Sequence, residues 1–183
     1  MTSIKQFFAS WEKLSYRFSP AFNLYKAMYS GVVEREVAMG NITHRDTVLN
    51  VGCGAIPFTA IHIANLTGAQ IIAMDKDQDA VLKARHALKK YGLSNHIQVV
   101  GGDAFGGFPT PFTVALVALQ VADKPTLLSK LQIEGGPGSK VIIRQPTDQY
   151  GETYGLIPHH LVPDAKVTHK MKTFKESFLF VTR

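Results

Sequence analysis

Residues 47–59 read Thr-Val-Leu-Asn-Val-Gly-Cys-Gly-Ala-Ile-Pro-Phe-Thr. Thr47 to Val51 is too short for a helix and is nearly all apolar or β-branched, which predicts a buried strand of a parallel sheet. Gly52-Cys53-Gly54 breaks the run. From Ile56 to Leu66 the apolar spacing turns helical, with Pro57 in the first turn, where a missing N–H costs nothing. Strand, glycine turn and helix together are the opening of a βαβ unit.

The same rhythm continues downstream. Gln70 to Met74 predicts a second strand ending at Asp75. Asp77 caps a helix in which Val81, Ala84, Leu88 and Tyr91 share a face. Its first turn is acidic at Asp79, its later turns carry Lys83, Arg85, Lys89 and Lys90, and Gly92 stops it. His96 to Val100 is a third strand, leading to Gly102-Asp103. Phe112 to Leu119 is apolar on both faces and belongs in the middle of a sheet. Pro125 opens a helix to about Ile133. Lys140 to Arg144 is a fifth strand, stopped by Pro146. Lys166 to Met171 and Ser177 to Thr182 alternate and would pair as a hairpin. Residues 102–111, GDAFGGFPTP, hold too much Gly and Pro for a helix, so this crossover reads as a loop that leaves one sheet face thinly covered. Five alternations of strand and helix predict an α/β fold, a three-layer mostly parallel sheet with a C-terminal antiparallel hairpin.

Upstream the texture differs. Phe7, Trp11, Leu14 and Phe18 fall on one helical face that ends at Ser19-Pro20. Tyr25, Met28, Tyr29, Val32, Val33 and Val37 make a second helix, ending near Gly40-Asn41. Residues 1–45 are therefore expected to form an N-terminal helical extension and residues 46–183 the α/β domain. The first helix, with Lys5 and Lys13 beside its aromatic face, reads as packing over the sheet or as a lid in preference to lying on a membrane.

Composition bounds the rest. The chain has 183 residues, 45% hydrophobic and 19% charged, enough for one domain with a real core. Its net charge of +6 is spread over both ends and shows no dense Lys/Arg stripe of a nucleic-acid binder. Cys53 is the only cysteine, which excludes an internal disulfide and fits a reducing cytoplasm. No apolar run reaches membrane-span length and no secretory signal is apparent.

In an open parallel sheet ligands bind beyond the carboxyl ends of the strands. Three signals land there. Gly52 and Gly54 let the backbone approach a ligand without Cβ clashes. Asp75 can accept both hydroxyls of a ribose. Asp103, in a Gly-Asp-Ala step, can meet an adenine amino group. A dinucleotide site wants a third glycine where Pro57 stands, which counts against NAD and FAD, and a P-loop is absent.

These residues resemble the Rossmann-like S-adenosylmethionine-dependent methyltransferases. The resemblance implies Val51, Gly52, Cys53 and Gly54 around the methionine moiety, Asp75 and Lys76 around the ribose, and Gly102, Asp103 and Ala104 around the adenine. Residues 52–59, GCGAIPFT, are also similar to the G-x-G-x-x-P-x-T turn of nicotianamine synthase-like enzymes, which move a 3-amino-3-carboxypropyl group from the same cofactor. The chain has little room for the large helical domain of such synthases.

The expected activity is thus S-adenosylmethionine-dependent transfer, first of methyl, to a small-molecule acceptor. Aminocarboxypropyl transfer and a non-catalytic cofactor-binding regulator or partner subunit stay open, as does a homodimer. Tyr154, Glu34 and Glu36 are the candidate catalytic residues on the acceptor side, with Tyr150 and Tyr29 as further substrate-side candidates. No metal is expected: His159 and His160 are adjacent and lack a third ligand at suitable spacing.

Overall fold

The computed structural model describes residues 20–90 and 92–183. The predicted helix through Phe7 to Phe18, its membrane and lid readings, and Tyr91 lie outside them. The strands are β1 (Thr47–Val51), β2 (Gln70–Asp75), β3 (Ile97–Gly101), β4 (Val114–Val117), β5 (Lys140–Pro146), β6 (Ala165–Thr168) and β7 (Phe174–Val181). The helices are α1 (Pro20–Gly40), α2 (Phe58–Thr67), α3 (Gln78–Lys90), α4 (Lys124–Gly135) and the single turn α5 (Gly151–Tyr154).

One seven-stranded sheet runs in the order β3-β2-β1-β4-β5-β7-β6. The first five of these are parallel, and β7 enters antiparallel to β5 with β6 outside it. This is the α/β fold the sequence predicts. The order reverses at β1, between β2 and β4, so the ends of those strands open a crevice.

Alternation along each strand separates two cores. Val48, Ile71, Ala73, Leu116 and Ile142 face one way, under α1, α2 and α3. Leu49, Val51, Ile72, Val117 and Ile143 face the other, under α4. The crossover from β3 to β4 is a loop, as its Gly and Pro content predicts. It covers the second face with its own side chains: Ala104 and Phe112 are buried, and the Phe108 and Phe112 rings meet edge to face at 5.6 Å.

Four local expectations are corrected. Pro57 caps α2 from outside its first turn, at φ −77° and ψ 61°, and the ladder begins when Ile61 N–H donates to its carbonyl at 3.0 Å. β5 runs through Pro146, where a bulge against β7 frees the ladder from needing its N–H. β6 ends at Thr168, three residues short of the expected Met171. β7 begins at Phe174, three residues ahead of Ser177. The stop of α1 matches: Asn41 takes φ 46° and Ile42 N–H closes on the Val37 carbonyl at 3.0 Å. No described helix is long and apolar enough to cross a membrane.

Candidate functional site

The β1–α2 turn is built by hydrogen bonds that only a glycine-rich backbone can make. Gly52 and Cys53 N–H both donate to the Met74 carbonyl of the neighbouring strand, at 2.8 and 3.0 Å. Gly52 and Gly54 hold φ of 77° and 70°, the left-handed region. A Cβ on Gly52 would sit 2.9 Å from Val121 Cγ2, whereas one on Gly54 would point into open space. Gly54 N–H donates to Asp75 Oδ2 at 2.7 Å, and Asp77 N–H to Asp75 Oδ1 at 3.0 Å. Asp75 is therefore fixed with one backbone donor on each oxygen and lone pairs to spare. Asp103 is exposed and accepts from Phe105 N–H through Oδ1 at 3.0 Å.

A cavity of about 440 Å³ opens here, and Val51, Gly52, Cys53, Gly54, Asp75, Lys76, Gly102, Asp103 and Ala104 all line it. That volume is within the roughly 300–1,000 Å³ of small-ligand sites. The residues fit an adenosyl cofactor: a space at Gly54 that a Cβ would fill, a preset carboxylate at Asp75, and an open oxygen on Asp103. Cys53 is buried, and burial together with the Asp75 carboxylate pushes its thiol up to about 12. It stays a neutral thiol, not a nucleophile.

The other end of the cavity brings Tyr29, an expected substrate-side residue, together with two residues that the sequence does not single out as candidates. Tyr29 of α1, Thr59 of α2 and Arg144 of β5 line it. Arg144 Nε and Nη2 donate to the two oxygens of Glu36 at 2.8 Å each, a bidentate buried pair. Arg144 also donates to the Tyr29 hydroxyl and, at 3.3 Å, to Thr59 Oγ1. The Tyr29 and Thr59 hydroxyls meet at 3.0 Å. Behind the pair, Ser177 Oγ donates to Glu36 Oε1 at 2.7 Å, His169 Nε2 meets Ser177 Oγ at 2.9 Å, and Arg35 Nε donates to His169 Nδ1 at 3.3 Å. Burial works against the Arg144 charge, but the Glu36 carboxylate and the Tyr29 phenol beside it outweigh that, and its pKa is raised.

Tyr154, Glu34 and Glu36 are all absent from the cavity wall. Glu36 is fully buried behind Arg144 and acts on the cavity through it. Glu34 is exposed, because two residues along a helix turn a side chain to the far face. Tyr154 packs against the cluster of Val32, Leu119, Met171 and Phe174 and stacks on Tyr150 at 6.1 Å. Among the described residues no group of three His, Cys, Asp or Glu could hold a metal ion.

The family model for protein-L-isoaspartate(D-aspartate) O-methyltransferase (PCMT) matches residues 10–154. The chain belongs to this family. Its cofactor is S-adenosylmethionine. Among curated proteins, the L-histidine 2-aminobutanoyltransferase of Yersinia pestis is 28% identical over 120 residues, 66% of this chain and 45% of that protein. The sterol 24-C-methyltransferase of Saccharomyces cerevisiae is 39% identical over 62 residues, 34% of this chain and 16% of that one. The chain thus spans less than half the length of these relatives. Among solved structures, MtNAS in complex with MTA and tNA superposes with TM-score 0.79 at 19% identity, over 100% of this chain and 69% of that one. An RNA methyltransferase from Salinibacter ruber, in complex with S-adenosyl-L-homocysteine, gives TM-score 0.68 at 21% identity, over 83% and 90%. At these identities the two structures speak for the fold.

Proposed function

We propose that the chain transfers a carbon unit from S-adenosylmethionine to a small-molecule acceptor, and that this unit is methyl. The observation that carries the small acceptor is the polar end of the cavity, where Tyr29, Thr59 and Arg144 present hydroxyls and a guanidinium. When bound, the cofactor supplies an electrophilic carbon on its sulfonium. The chain supplies placement. Asp75, beside Lys76, accepts from the ribose hydroxyls, Gly102 to Ala104 receive the adenine, and Val51 to Gly54 receive the methionine tail. Tyr29 and Thr59 orient the acceptor, and the buried Arg144–Glu36 pair fixes both hydroxyls. Residues 46–183 are the cofactor-binding unit, and the preceding extension, through α1, completes the acceptor end.

A second reading is transfer of the 3-amino-3-carboxypropyl group. Pro57 favours it: with no N–H, the first residue of the turn into α2 cannot bind the methionine carboxylate as an ordinary residue would. The Yersinia pestis relative carries an aminobutanoyltransferase name, which supports the same reading.

The by-product separates these readings without knowledge of the acceptor. The protein is incubated with S-adenosylmethionine and cell extract, and the products are read by mass spectrometry. Methyl transfer leaves S-adenosylhomocysteine. Enzyme-dependent methylthioadenosine would establish the second reading. Neither above background points to a cofactor-binding regulator.

A further inference from the structure

Lys124, the first residue of α4, is fully buried. Among the described residues no carboxylate pairs with it. Its Nζ lies instead in a cage of main-chain carbonyls. It donates to Leu119 and Val121 at 2.9 Å each, to Gly155 at 3.3 Å, and to Tyr154. Three N–H groups thus serve four acceptors drawn from two separate segments. Leu119 and Val121 belong to the stretch after β4, whose Ala118, Gln120, Val121 and Ala122 line the cofactor cavity. Tyr154 and Gly155 end the chain segment that leaves β5.

The backbone is bent to achieve this. Asp123 takes φ 45°, which L-residues adopt rarely, and so turns Lys124 inward at the start of the helix. The two segments touch: a Cβ on Gly155 would lie 4.0 Å from Asp123 N. Backbone oxygens converging on one point, with no donor of their own, are the coordination that a bare ammonium or a potassium-like cation satisfies.

We propose that residues 119–121 and 154–155 form a monovalent-cation cage whose resident ion is the Lys124 ammonium, and that Lys124 is the positioning residue that holds the cofactor wall against the chain leaving β5. It works without reaching the cavity. Ala118 N–H donates to the Val51 carbonyl at 3.0 Å, so the position of the 118–122 stretch sets the shape of the methionine end. Burial lowers Lys124 only to about 8, so the ammonium is charged at neutral pH.

Chemical rescue tests this on the full chain. Lys124→Ala removes Cγ, Cδ, Cε and Nζ, the atoms of n-propylammonium. The melting temperature should fall by roughly 10 °C, as for a broken buried charge network in a domain of this size. n-Propylammonium should restore about half of it or more, and tetramethylammonium, a cation without N–H, should not. Refolding that succeeds only with n-propylammonium counts as rescue. Lys124→Met, which keeps the stem and lacks the charge, should respond to neither. Amide hydrogen exchange should accelerate in 118–122 and 151–155 together, and slow again with n-propylammonium. Binding of S-adenosylhomocysteine should weaken roughly tenfold (~1.4 kcal/mol) and recover likewise. Equal response to both cations, exchange confined to one segment, or unchanged ligand affinity beside a lowered melting temperature would overturn the proposal. A wild-type chain that binds no S-adenosylhomocysteine overturns the cofactor assignment instead, and the exchange pattern then decides the cage by itself.

Discussion

Glu34 and Glu36 look alike in the sequence and have opposite fates. Tyr29, Val32, Val33 and Glu36 stand at i, i+3, i+4 and i+7, the buried face of α1, and Glu34 falls off it. A carboxylate on an apolar face needs a partner, and Arg144 is the corresponding misfit in β5, buried directly after Val141, Ile142 and Ile143. Those two misfits are the sequence signal for the polar end of the cavity. Removing one partner of a buried pair strands the other. Glu36→Gln should therefore cost about 3–5 kcal/mol of stability in urea unfolding. Glu34→Gln should stay within about 0.5 kcal/mol. Equal losses would mean that the pair is not what holds α1 to β5.

At the scale of the element, the β1–α2 turn separates stability from binding. Both glycines hold a left-handed φ, so alanine at either is strained by about 1–2 kcal/mol. At Gly52 the new Cβ also meets Val121 Cγ2 at 2.9 Å and Ala118 Cβ at 3.2 Å. Gly52→Ala should be the less stable variant in thermal unfolding. Gly54→Ala meets nothing in the protein and projects a methyl group into the space assigned to the cofactor. It should melt higher than Gly52→Ala and lose S-adenosylhomocysteine affinity at least about tenfold by calorimetry, an effect of the size that overpacking produces. Wild-type affinity in Gly54→Ala would remove this turn from the binding site. This turn was legible in sequence because its rule is local: strand, glycines, helix. At the other end of the cavity Tyr29 is legible as a substrate-side candidate, but its meeting with Thr59 and Arg144 is not, because the three come from elements that only the sheet order brings together. That Tyr154 lies off the cavity wall is hidden for the same reason. Its position after β5 could be read, but the direction of its ring depends on α1 and β7. The boundary of β5 was misread because a bulge, which leaves no mark on composition, is what admits Pro146.

Over the whole molecule, His169 ties acid sensitivity to the Glu36–Arg144 pair. Burial pushes its pKa down from 6.5 to about 4; Glu36 pulls it upward, while Arg35 and Arg144 add to the fall. Between those two values the unfolded chain binds a proton that the folded chain refuses. Its contribution is therefore complete above pH 6.5 and is lost as pH falls toward 4, by at most about 1.4 kcal/mol per pH unit. Urea unfolding at pH 7 and pH 5 should show this loss, and His169→Gln should shrink it. A pH dependence identical in the two proteins would assign the effect to other groups. Glu36 also has a history along the chain. Its partner Arg144 lies 108 residues away, and Ser177 lies 141 residues away. Contacts of that span form late, since the loop they close must first lose its entropy. β1, β2 and β3 can pair from neighbouring segments, but α1 cannot bury its carboxylate until β5 and β7 exist. On a ribosome, α1 waits for the last of the described strands, and the cofactor half takes shape before the other end of the cavity has an arginine to close it.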